Sequence, residues 1–166
     1  MVCKLPPEDH GLEKLVELIE SAGYKVNGDK IFGETLEAEL KATSLREDEA
    51  ILLIRTIDLK SLERFLRVLT RGCWYVDIYY HLRGERAYRA TENLGLSVKE
   101  KAEVRRMKIA DVSLKLDLYS RLGALTISYR AGWREVNRGV VAKVHERILG
   151  KEPKSGILGR LLRWGR

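Results

Sequence analysis

The sequence predicts an α+β fold in which helices cover one side of a mostly antiparallel sheet, and three consecutive stretches carry that expectation. Residues 50–58 (AILLIRTID) form a nearly unbroken apolar run with β-branched side chains, the pattern of a strand covered on both faces. Residues 59–71 switch to helical spacing, with Leu62, Phe65, Leu66 and Leu69 on one side and Lys60, Glu63, Arg64, Arg67 and Arg71 on the other. Residues 73–82 (CWYVDIYYHL) return to period two, after Gly72 ends the helix. A strand, a crossover helix and a second strand are the seed of a mixed sheet.

The elements before this seed follow from local signals. Pro6 and Pro7 lead into a helix over 10–22, whose buried stripe is Leu12, Leu15, Val16 and Ile19 and whose stop is Gly23. Residues 24–26 and 30–32 flank Asn27-Gly28, which supplies the positive φ angles of a tight hairpin. Residues 35–42 alternate, with Leu36, Ala38, Leu40 and Ala42 inward and Glu37, Glu39 and Lys41 outward.

After the seed, Arg83-Gly84 reads as a second hairpin turn with a return strand over 85–92. Ser97 and Glu100 form a capping-box pattern at the head of a helix over 98–109. Residues 111–119 alternate with Val112, Leu114, Leu116 and Leu118 inward, and 124–130 place Leu125, Ile127 and Tyr129 on one face. A long helix over 133–149 buries Trp133, Val136, Val140, Val141, Val144 and Ile148, and Gly139 costs it about 1 kcal/mol against alanine. From 50 to 119 the expected order is strand, helix, strand, strand, helix, strand, which is that of the ferredoxin-like unit, extended at both ends. Both halves contain a strand–strand–helix run, 35–71 and 111–149, but their residues match poorly and the sequence makes no case for a repeat.

Bulk composition bounds the function. A chain of 166 residues fits one α+β domain, 1–150, followed by a basic amphipathic tail, 151–166. Charged residues make up 33%, above the roughly 25% of an average domain; there is no glutamine, which together give a thermophile-like composition. Cys3 and Cys73 match no metal or redox spacing and read as reduced thiols of a cytoplasmic chain. The start lacks the apolar centre of a signal peptide, and no run approaches the roughly 18 apolar residues of a membrane span. Net charge is +7, distributed as −6 over residues 1–50 and +13 over 51–166, which points to an anionic partner for the later part or to self-association between the two parts.

Four candidate surfaces follow. With a two-residue turn after Leu82, one face of the second hairpin gathers Tyr75, Tyr79, His81, Arg86 and Tyr88. Tyrosine rings stack on unpaired bases and arginine holds phosphate, so this face suits RNA or another single strand, although no RNP string is present. On the helix over 98–109, Lys101, Arg105 and Lys108 make a basic stripe suited to phosphates. In the tail, Ile157, Leu158, Leu161, Leu162 and Trp164 alternate with arginines as a docking segment for its own domain or another subunit, too short to hold a membrane surface by itself. Glu39-Leu40-Lys41 fits the E-x-K half of the nuclease pattern PD-(D/E)-x-K, with Asp29 upstream, where two carboxylates hold Mg²⁺ and a lysine orients water.

The glycines match neither a P-loop nor a dinucleotide fingerprint, and the three histidines lack metal-ligand spacing, so no metal or cofactor is expected. The reading that ranks first is a non-catalytic nucleic-acid-associated protein. A homo-oligomeric assembly module ranks second and a metal-dependent nuclease third.

Overall fold

A computed structural model describes residues 1–7, 11–42, 48–56, 58–96, 103–119 and 123–151. Among the described residues the architecture is α+β: a nine-stranded sheet in which every neighbouring pair is antiparallel, with five helices on one face.

The first half runs β1 (Val2–Lys4), α1 (Gly11–Ser21), β2 (Lys25–Asn27), β3 (Lys30–Phe32), β4 (Leu36–Ala42), β5 (Glu49–Thr56) and α2 (Leu59–Gly72). The second runs β6 (Tyr75–Arg83), α3 (Glu85–Asn93), β7 (Glu103–Ile109), β8 (Val112–Tyr119), β9 (Ala124–Ala131), α4 (Trp133–Asn137) and α5 (Val140–Leu149). The spatial order is β2-β3-β4-β5-β1-β6-β9-β8-β7. Read inward from its two ends, leaving β2 aside, the sheet is β3-β4-β5-β1 and β7-β8-β9-β6. In each half a central opening strand, β1 or β6, is followed by a three-strand meander whose last strand returns to pair with it, and β1 and β6 pair with each other. The topology repeats where the residues do not.

The expected ferredoxin-like order is not confirmed, and β1 is one reason. It inserts between β5 and β6, antiparallel to both, so the two strands joined by α2 run parallel without touching. The other reason is 85–93, which is helix α3 rather than a return strand. Gly84 turns the chain at φ +55°, and Ala87 and Ala90 then face the core at helical spacing. The order between β5 and β8 is therefore strand, helix, strand, helix, strand, strand. Of the expected helix 98–109, residues 103–109 are instead strand β7, paired along its whole length with β8, while 98–102 and the capping-box pair Ser97 and Glu100 lie outside the described residues.

Alternation along the strands decides the layers. Leu52, Val76, Ile78, Leu114, Leu116, Leu125 and Ile127 lie beneath the helices with Phe65, Leu66, Leu69, Val144 and Ile148 in one continuous core. The apolar run of β5 is covered on one face only, for Leu53 is 49% exposed on the other. Residues 133–149 make two helices, because Gly139 sits at φ +67° and ends the first. Trp133, expected in the core, is 43% exposed with the Arg71 guanidinium 5.2 Å above its ring. Cys3 and Cys73, expected as free thiols, form a disulfide that ties β1 to the end of α2. Among the described residues, no helix is long and apolar enough to cross a membrane.

Candidate functional site: the open face of the sheet

The face opposite the helices carries the outward residues of every strand, because antiparallel register keeps one parity on each side. In the second half these residues form continuous rows. Tyr79 pairs with Ser128, Ser128 with Lys115, and Lys115 with Arg106. His81 pairs with Thr126, and Thr126 with Asp117. Asp77 pairs with Arg130, and Lys108 with Ser113.

Tyr79 is 41% exposed, and its ring stacks on that of His81 at 6.2 Å and 7°. Burial raises the Tyr79 phenol, and the charge of Asp77 adds to the shift. His81 Nδ1 lies 3.3 Å from Thr126 Oγ1, so its partner is a threonine across the ladder and not Asp77. Asp77 is held by Arg130, whose Nε and Nη2 donate to its two carboxylate oxygens at 2.8 and 3.0 Å. That bidentate hold raises the Arg130 guanidinium above its ordinary value. The same guanidinium stacks 3.7 Å over Tyr75, so Tyr75 already has an occupant. Between Tyr79, Ser113, Lys115 and Ser128 the surface dips into a hollow of about 340 Å³, with the Asp77–Arg130 pair on one wall.

Tyr75, Tyr79 and His81 therefore share the open face as expected. Arg86 and Tyr88 do not join them, because they sit on α3; Tyr88 instead lies over Gly123, where an added Cβ would come within 3.2 Å of its ring. The expected stripe of Lys101, Arg105 and Lys108 lies partly outside the described residues. Lys101 lies outside the described residues, and on strand β7 Arg105 and Lys108 have opposite parity. The open face takes Arg106 and Lys108 instead, opposite Lys115 and Ser113. The sequence signal for this was present in the alternation Arg106, Lys108 and Ser113, Lys115 around Ala110-Asp111, and a helical period obscured it. The tail candidates Ile157, Leu158, Leu161, Leu162 and Trp164 lie outside the described residues.

Glu39 and Lys41 project from the open face of β4 and form an ion pair at 3.2 Å, while Asp29 is exposed in the β2–β3 turn. Among the described residues, no group of three histidine, cysteine, aspartate or glutamate side chains is placed to hold a metal ion. On the covered face, the Tyr80 hydroxyl meets His145 Nδ1 at 3.0 Å, and burial pushes the Tyr80 phenol up to about 12.

No protein-family model, no curated protein and no solved structure matches the chain.

Proposed function

We propose that this protein is a non-catalytic binding protein for single-stranded nucleic acid, RNA in particular, and that the strand lies on the open face of the second half. The observation that supports this most is the stacked Tyr79–His81 pair on a helix-free surface, beside Arg106, Lys108 and Lys115. A sheet face carrying exposed rings gives unpaired bases a stacking platform, and the flanking cations neutralise phosphates. Arg130 is committed to Asp77 and Tyr75, so it shapes the surface more than it adds charge.

The test is fluorescence anisotropy of the full chain with a labelled single-stranded RNA over a range of salt. Affinity is expected to fall steeply as salt rises. Tyr79→Ala is expected to weaken binding about tenfold or more, since one base–aromatic stack contributes about 1–3 kcal/mol. An absence of binding, or binding indifferent to both salt and Tyr79→Ala, overturns the reading.

A second reading, self-assembly, is favoured by the open face of the first half. There Leu53 and Phe32 are 49% and 39% exposed, and Ile51 and Val2 are directly paired on the same face. Val2, Ile51 and Leu53 form an apolar strip across β1 and β5, separated from Phe32 by Glu37 and Glu39 of β4, and that strip suits a second copy of the chain. Sedimentation is then expected to show a dimer that Leu53→Lys dissociates; a monomer at high concentration removes this reading.

A further inference from the structure

Arg106 lies directly opposite Lys115 across the β7–β8 ladder, and both are exposed on the open face. Like charges opposite one another on a sheet face destabilise the pair. Neither side chain has a carboxylate partner among the described residues. Lys108, one rung on, faces only Ser113. Everywhere else on the open face where a charge pairs across the ladder with a charge, the register sets opposite signs together: Asp77 with Arg130, Lys4 with Glu49, Lys30 with Glu39, Glu37 with Arg55. The Arg106–Lys115 rung breaks that rule, and its Lys115 lines the 340 Å³ hollow together with Ser113 and Ser128.

We propose that Arg106 and Lys115, with the hydroxyls of Ser113 and Ser128 as further donors, form a phosphate subsite. A phosphate between the two cations replaces their repulsion with two charge-assisted hydrogen bonds, and the planar guanidinium can grip two of its oxygens. The hollow also has two carboxylates. Asp77 is neutralised by Arg130, and Asp111 lies at the β7–β8 turn, beyond Ser113, which confines the anion to the Arg106–Lys115 end. That the natural phosphate belongs to a nucleic-acid strand rests on the function proposed above. Given that reading, the row Arg106–Lys115–Ser128–Tyr79 spans about 14 Å at the usual strand spacing. It places a phosphate on β7–β8 and the stacked base on β6, so the ligand crosses the strands of the sheet.

The experiment titrates the full chain with inorganic phosphate at constant ionic strength and follows the backbone amide resonances of Arg106, Ser113, Lys115 and Ser128. Saturable shifts at these amides are expected, and Lys115→Glu is expected to weaken phosphate at least tenfold. The same substitution is expected to raise the melting temperature, because it sets an acid opposite Arg106; a Lys115→Met control loses the phosphate response without adding an acid. In RNA binding, each phosphate contact removed is expected to lower the salt slope by about 0.7. Shifts no larger than those in matched chloride, or an affinity unchanged in Lys115→Glu, overturn the subsite. If RNA binding depends on Tyr79 but ignores Lys115→Glu, the subsite falls and the broader reading stands. If phosphate binds here and RNA does not, the subsite stands and the nucleic-acid assignment falls.

Discussion

β1 and β6 occupy equivalent places at the centre of the sheet, yet one has three residues and the other nine. β6 makes an eight-residue ladder with β9 in addition to its three pairings with β1. β1 makes three pairings on each side, and its centre is fastened by the Cys3–Cys73 disulfide to the end of α2. The long central strand has an extended ladder, while the short one adds a covalent link to its short ladders. The outer ends differ as well: the first half adds the short strand β2 beyond β3, while the second stops at β7. The open faces differ in charge. In the first half the carboxylates lie opposite or beside cations, as Glu37 does to Arg55 and Glu39 to Lys41. In the second half Arg106 lies opposite Lys115 and Lys108 opposite Ser113, no ion pair to these three cations forms among the described residues, and Asp117 lies two residues along β8 from Lys115 on the same face. Repetition of a fold therefore does not repeat its chemistry, and the surface proposed for an anionic partner lies in one half.

The largest effect expected from breaking this comparison is loss of the disulfide. Closing a loop across a sequence separation of 70 residues is worth about 4 kcal/mol in the chain-entropy account. Cys73→Ser, or reductant added to the native chain, is expected to lower the guanidinium midpoint accordingly. Exchange protection should be lost first at β1 and last at β6. Equal protection of both strands after reduction would show that the ladders alone suffice.

Next is Tyr79→Ala, with its expected tenfold or greater loss of RNA affinity. The sharpening control is Leu53→Ala, on the open face of the other half, which is expected to leave RNA binding unchanged.

A smaller effect is expected at the helices. α2 is unbroken over 14 residues, whereas its counterpart divides at Gly139. No atom lies within 4 Å of a Cβ added there, so Gly139→Ala meets only the strain of φ +67°. A cost of about 1–2 kcal/mol is expected, read by chemical denaturation. A gain in stability would mean that one continuous helix is compatible with the second half.

The smallest is the cap of α2. The Asp58 carboxylate accepts from the Ser61 backbone N–H at 2.8 Å, and this bond holds it below the usual carboxylate value. Asp58→Ala is expected to cost about 1 kcal/mol at neutral pH. A depressed folded value means that this contribution is present above the unfolded value, near pH 3.9, and disappears as pH falls through the folded one. The difference between wild type and variant should therefore close below about pH 4.

Much of the fold was legible where one period ran uninterrupted. α1, the Asn27-Gly28 hairpin, β4, β5, α2, β6, β8 and β9 lie within a few residues of their expected places. The failures came where two periods compete. Residues 85–93 follow a strand and a glycine, which suggests a hairpin, yet Ala87, Ala90 and Thr91 are buried at helical intervals. Over 103–109 the charges at Arg105 and Lys108 fit helical spacing, while Met107 and Ile109 pack on the core with strand parity. Of the candidate site, Tyr75, Tyr79 and His81 could be read because they lie on one strand. Arg106, Lys115, Ser128 and Arg130 could not, because their proximity depends on which strands are neighbours.

The sequence by itself determined the α+β class, the inward face of most strands and the aromatic parity of β6, since these follow from the spacing of apolar residues along the chain. Only the tertiary structure decided that a three-residue strand divides β5 from β6, that two cysteines 70 residues apart meet, and that two cations face each other across β7 and β8. The physical reason is that periodicity fixes the side of an element a residue occupies, whereas register and strand order are chosen by the burial and pairing of all the elements together.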